Sequence, residues 1–169
     1  MQSFVILHTN DIHGRIEGLA RIATMVEQIK AENADIPVIY VDSGDIEERS
    51  VRISNFTKGS AMHRLLSRSG CDIAAVGNGG IASYGPQTLA EYVKVASYPL
   101  LLANLYDSNG KLPDGAQPTL LLDAGSVTLG LIGVTAVLGG IYKEFGFGAP
   151  SLSCVAYSIL FSTIARARC

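Results

Sequence analysis

Short apolar runs alternate with stretches long enough to hold a helix, and this alternation constrains the fold more tightly than any other feature of the chain. Residues 4–8, 38–41, 72–76 and 100–103 read as strands buried on both faces, because their apolar character is nearly continuous. Between the first two, residues 18–33 carry Leu19, Ile22, Ala23, Val26 and Ile29 as a helical stripe. Residues 58–69 place Met62, Leu65 and Leu66 on one side of a second helix, and Pro86 opens a third over 87–96. Residues 119–122 and 127–134 read as two strands around Ala124-Gly125-Ser126. The pattern predicts an α/β layered domain with a mostly parallel sheet, to which the last two strands add an antiparallel pair.

Composition narrows the function classes. A chain of 169 residues that is 48% hydrophobic and 17% charged can bury a core, so intrinsic disorder is excluded. A formal charge of −2 offers no electrostatic case for a nucleic-acid polymer or an anionic membrane as partner. Three separated cysteines, without a CxxC, suggest neither a disulfide framework nor a zinc ribbon. No basic segment or cleavage site precedes the first apolar run, so a cytoplasmic location with reduced thiols is expected. No run reaches the ~18 apolar residues of a membrane span; residues 154–165 come nearest.

The tail over 151–169 differs from the rest. No acidic residue follows Glu144, and the apolar residues lack amphipathic order. Two readings stand: an apolar helix docked on the sheet, or a segment foreign to the fold, such as one translated out of frame.

In open α/β sheets, ligands bind beyond the carboxyl ends of the strands. There this chain places Asn10-Asp11-Ile12-His13-Gly14, Asp42-Ser43-Gly44-Asp45, Gly77-Asn78-Gly79-Gly80 and Asn104. In an extended segment Asp11 and His13, two apart, would share a face. An Asp and a His on one face suit a transition-metal ion. Asp45, beside Gly44, could bridge two metals, and Asn78 offers a neutral carbonyl ligand. Two metals can hold a bridging hydroxide and clamp phosphoryl oxygens during in-line displacement. Taken singly, each of these groups is an ordinary turn or cap residue; the signal is their recurrence at consecutive strand ends. Asp42 reads as support for the ligands or as a turn residue. His8 reads as a hydrogen-bonded core histidine, His63 as a surface or interface histidine, and Cys71 as an inert packed thiol.

Ile6-Leu7-His8-Thr9-Asn10-Asp11-Ile12-His13-Gly14 closely resembles the opening motif of the 5′-nucleotidase branch of the calcineurin-like metallophosphoesterases. Val41-Asp42-Ser43-Gly44-Asp45 is similar to that family's second motif, and Val76-Gly77-Asn78 with Tyr84-Gly85-Pro86 to its third. Leu102-Ala103-Asn104 and Leu131-Ile132-Gly133-Val134-Thr135 also resemble that branch, so the likeness covers roughly residues 3–135. The resemblance implies a layered α-β-β-α sandwich and two divalent ions, Mn, Zn or Fe. It implies hydrolysis of phosphomonoesters, typically nucleotides. Carried over by position, Asp11 and His13 bind the first metal, Asp45 bridges, and Asn78 binds the second; Asp45 and Asn78 thereby become the catalytic pair.

The chain departs from that pattern twice. Gly79 stands where the family has a histidine that assists the leaving group, a loss that typically costs ~10²–10⁴-fold. No histidine follows His63, so the family's later metal-binding histidines are missing from this chain. The sandwich is therefore expected to be incomplete, with residues 1–150 its N-terminal part. One weakly bound metal and self-association through uncovered apolar surface are expected with it. The leading expectation is a dimetal phosphoester hydrolase with a small phosphorylated substrate such as a nucleotide. The alternative is a non-catalytic remnant that binds metal or phosphate weakly. A phospho-aspartyl mechanism on Asp11 ranks lower, because His13 occupies the place of that mechanism's second Asp.

Overall fold

The computed structural model describes residues 3–136, 140–148 and 160–163. In chain order the elements are β1 (Val5–Thr9), α1 (Ile16–Glu32), β2 (Val38–Asp42), α2 (Arg52–Phe56), α3 (Ser60–Arg68), β3 (Ile73–Ala75) and α4 (Asn78–Tyr84). A 3-10 turn at Pro86–Thr88 leads into α5 (Leu89–Val95), followed by β4 (Leu100–Leu101), β5 (Tyr106–Asp107) and β6 (Ala116–Gln117). Then come β7 (Thr119–Ala124), β8 (Val127–Ile132), α6 (Gly140–Glu144), β9 (Phe147–Gly148) and β10 (Leu160–Thr163).

Five strands form one parallel sheet in the order β1-β2-β3-β4-β6. Side chains alternate across it, as a period of two requires. Tyr40, Ala74, Leu100 and Leu102 meet Leu19, Val26, Met62 and Leu66 of the helical layer in one core. Ile39, Val41, Ile73, Ala75 and Leu101 face the other way, onto Ala124, Leu129 and Leu131. β7 and β8 thus pack face to face on the parallel sheet rather than extending it; with β10 they form a separate three-stranded sheet. Helix, sheet and sheet make three layers among the described residues. The outer side chains of β7 at Thr119, Leu121 and Asp123 are exposed.

The predicted α/β class and the six expected strands are borne out; the short β5, β6 and β9 were not expected, and four further corrections follow. First, β1 is an edge strand and only partly covered, so it is not buried on both faces. A groove of about 260 Å³ opens beside it, lined by Ile6, Leu7, Ile22, Met25 and Tyr40 among others. Second, α2 and α4 were not expected. Gly79 and Gly80 are poor helix formers, yet α4 is held by burial of Ile81, 1% exposed, and by a tertiary contact described below. Third, Leu160–Thr163 pair antiparallel with β8, so this part of the tail is strand and not helix. The other tail residues, 151–159 and 164–169, lie outside the described residues. Fourth, His8 is exposed, with Nε2 2.7 Å from Ser43 Oγ, and is no core histidine. Cys71 is buried as expected, and burial pushes its thiol well above the ordinary range.

Candidate metal centre

Three backbone hydrogen bonds zip the segment after β1 to the segment after β2. Asp11 N donates to Gly44 O at 3.1 Å, His13 N to Asp45 O at 3.0 Å and Gly14 N to Ile46 O at 2.9 Å. The zipped residues are left-handed: φ is 52° at Asp11, 46° at His13 and 57° at Asp45. Lys58 is the one other non-glycine residue with positive φ among the described residues. Such backbone costs roughly 1–3 kcal/mol per residue and persists only where the surroundings impose it.

The strained turns converge three side chains. One ligand atom from each of Asp11, His13 and Asp45 lies within 4.8 Å of the other two. His13 Nε2 is 3.2 Å from Asp11 Oδ1. Asp11 and His13 therefore share a site, though not through the extended spacing expected of them; their side chains meet because both residues are left-handed. Carboxylate, imidazole and carboxylate are a donor set that fits one divalent transition-metal ion.

The fourth expected residue is also here. With its amide oriented to pair donor with acceptor, Asn78 Nδ2 is 3.3 Å from Asp45 Oδ2. Asp45 Oδ1 accepts a 2.6 Å hydrogen bond from Gly79 N, which ties α4 to the loop after β2. Asp45 is 6% exposed. Burial raises its carboxyl above the ordinary value, against the lowering effect of the Gly79 amide. A cation beside it would offset that burial cost.

Behind the site Asp42 is 1% exposed. It accepts from Thr9 Oγ1 at 2.6 Å and from Gly44 N at 2.9 Å, so it braces both ligand-bearing segments. Asn104 serves packing instead: its Nδ2 donates to Thr135 O at 2.8 Å and its Oδ1 accepts from Thr135 N at 2.9 Å. His63 is not a surface residue. It is 4% exposed, with Nε2 2.7 Å from Glu47 Oε1 and Nδ1 2.8 Å from Tyr98 Oη, and it stacks on Tyr92 at 4.1 Å. Its helical position beside Arg64 hid this, because the acidic partner comes from a distant loop.

Sequence reasoning also passed over Glu48, whose Oε2 is 3.4 Å from His13 Nδ1. The acidic run Glu47-Glu48 directly after Asp45 was the available signal.

No family model matches the chain. An uncharacterized metallophosphoesterase, YunD, of Bacillus subtilis is 29% identical over 145 residues, covering 84% of this chain and 31% of the relative. The snake venom 5′-nucleotidase of Gloydius brevicauda is 29% identical over 165 residues, covering 83% of this chain and 28% of the relative. Among solved structures, a 5′-nucleotidase precursor from Thermus thermophilus superposes with a TM-score of 0.70 at 23% identity, over 86% of this chain and 31% of that one. The calcineurin-like phosphoesterase YfkN of Bacillus subtilis superposes with a TM-score of 0.57 at 17% identity, over 85% of this chain and 53% of that one.

The superpositions define the class of fold, an α/β architecture shared with solved 5′-nucleotidase and calcineurin-like phosphoesterase structures. More particularly, over about 80% of its length the chain has homologues named metallophosphoesterase and 5′-nucleotidase, as the motifs implied. It spans less than a third of the length of these curated relatives. No helix among the described residues is long and apolar enough to cross a membrane.

Proposed function

We propose that this chain carries the metal-binding N-terminal part of a phosphoester hydrolase of the 5′-nucleotidase type, acting on a small phosphomonoester such as a nucleotide. The observation that carries the reading is the convergence of Asp11, His13 and Asp45 through left-handed backbone at adjoining strand ends. Strain concentrated at one polar cluster is a mark of a functional site.

Asp11, His13 and Asp45 would hold the first ion, and Asp45 with Asn78 would face the second. Bound divalent ions supply a nucleophilic hydroxide near neutral pH and polarise phosphoryl oxygens. The Asp11 and Asp45 carboxylates balance the cationic charge, while the Gly79 amide and the Asn78 side chain hold the Asp45 carboxylate in place. Gly79 brings no imidazole to the leaving group, so departure of that group relies on its own acidity or on solvent. Substrates with acidic leaving groups are accordingly favoured.

The test is hydrolysis of p-nitrophenyl phosphate and a nucleoside 5′-phosphate with and without Mn²⁺. Metal-dependent turnover, higher on the aryl ester and lost in Asp45→Ala, is expected. Equal rates in wild type and Asp45→Ala would refute the assignment.

A further inference from the structure

We propose that Glu48 is a positioning residue of the metal centre: it orients the His13 ring so that Nε2 is presented to the ion. This rests on the metal-centre reading above. The two nitrogens of His13 face different carboxylates. Nε2 is 3.2 Å from Asp11 Oδ1, on the ligand side. Nδ1 is 3.4 Å from Glu48 Oε2, on the opposite side of the ring. A histidine that binds a metal through one nitrogen carries its proton on the other, and an acceptor there sets tautomer and ring plane. Among the described residues, Glu48 offers the carboxylate that faces that nitrogen.

Glu48 is itself held from two directions. Its Oε1 accepts from Ser50 N at 2.8 Å, and its own backbone N donates to Ser54 Oγ at 2.9 Å. Ser54 is fully buried in α2. The same turn packs on the loop that carries His13: a Cβ on Gly14 would lie 2.7 Å from Val51 Cγ2 and 3.1 Å from Glu48 Cβ. The short helix α2 and the 48–51 turn therefore fix the carboxylate, and the carboxylate faces a ring whose side chain is 38% exposed. Glu48 is outside the three-residue ligand cluster, which separates its role from theirs.

The experiment is calorimetric titration of the full chain with Zn²⁺, using wild type, Glu48→Ala, Glu48→Gln and Asp45→Ala. ¹⁵N spectra of the Zn²⁺-loaded histidines accompany it, and melting curves in chelator show that each variant folds. The expected result is a Kd raised about 10–100-fold in Glu48→Ala. Glu48→Gln, whose amide oxygen can accept from Nδ1–H, should recover most of that loss. In wild type, His13 should carry its proton on Nδ1 and the ion on Nε2. An unchanged Kd in Glu48→Ala, or an ion on Nδ1, overturns the proposal while leaving the metal centre standing. Equal weakening in the Gln and Ala variants would make Glu48 a ligand and also overturn it. If wild type binds no ion, or Asp45→Ala binds as tightly as wild type, the metal-centre reading falls and takes this one with it.

Discussion

A Cβ on Gly44 would lie 2.5 Å from the amide nitrogen of Gly77 and 2.7 Å from its Cα. The backbones after β2 and β3 touch at this point, and the contact delivers Asp45 to the Gly79 amide. Gly44 is also left-handed, at φ 102°. Gly44→Ala meets backbone atoms that cannot swing aside and adds conformational strain. It is expected to cost about 3 kcal/mol or more and to abolish metal binding. Urea denaturation in chelator and Zn²⁺ titration measure the two effects; a stability within error of wild type would disprove the close-contact argument.

Asp45→Asn separates function from stability. The Asn Oδ1 can still accept from Gly79 N, while the buried charge is gone. Metal-free stability should rise by ~0.5–2 kcal/mol. The thermal shift on adding Mn²⁺ should disappear. A variant both less stable and still metal-responsive would place the ion elsewhere.

Asp42 predicts a pH dependence of folding. Burial pushes its carboxyl from 3.8 up to about 6, despite hydrogen bonds from Thr9 and Gly44 that lower it. Between these values the folded chain holds a proton that the unfolded chain has released. Stability is therefore fully present below 3.8 and declines as pH rises through about 6, by about 3 kcal/mol in all. Asp42→Asn can donate to Thr9 and accept from Gly44, so it should flatten this slope. Guanidinium melts from pH 4 to pH 7 check it; an unchanged slope would assign the dependence to other groups.

Removing His63 strands Glu47. Both side chains are buried, 5% and 6% exposed, and their 2.7 Å contact leaves no solvent to take over. His63→Ala should cost about 3–5 kcal/mol. Substituting both residues with apolar side chains should cost less than the single change. Thermal denaturation of the single and double variants decides; a double variant at least as unstable as His63→Ala would contradict the burial argument.

The parallel sheet was legible because β2, β3 and β4 are buried on both faces, so their apolar runs stand out without context. The same reasoning misjudged β1, since an edge strand with one open side can carry an equally apolar run. Asp11, His13, Asp45 and Asn78 were legible as residue types at strand ends. His63 was misread because its partners, Glu47 and Tyr98, come from separate elements and no local pattern encodes their meeting.

The order of amino acids alone determined the alternation of strand and helix and which carboxylates, imidazole and amide stand at the strand ends. Those properties follow from local periodicity and from the single direction of a parallel sheet. Tertiary structure alone decided the left-handed backbone at Asp11, His13 and Asp45, the packing of β7 and β8 across the sheet, and the seat of Glu48 behind His13. Each of these depends on hydrogen bonds or close contacts between segments far apart in the chain. Local preference opposes a positive φ at Asp11, and the bond from its amide to Gly44 and the neighbouring bonds of the same zipper support it there.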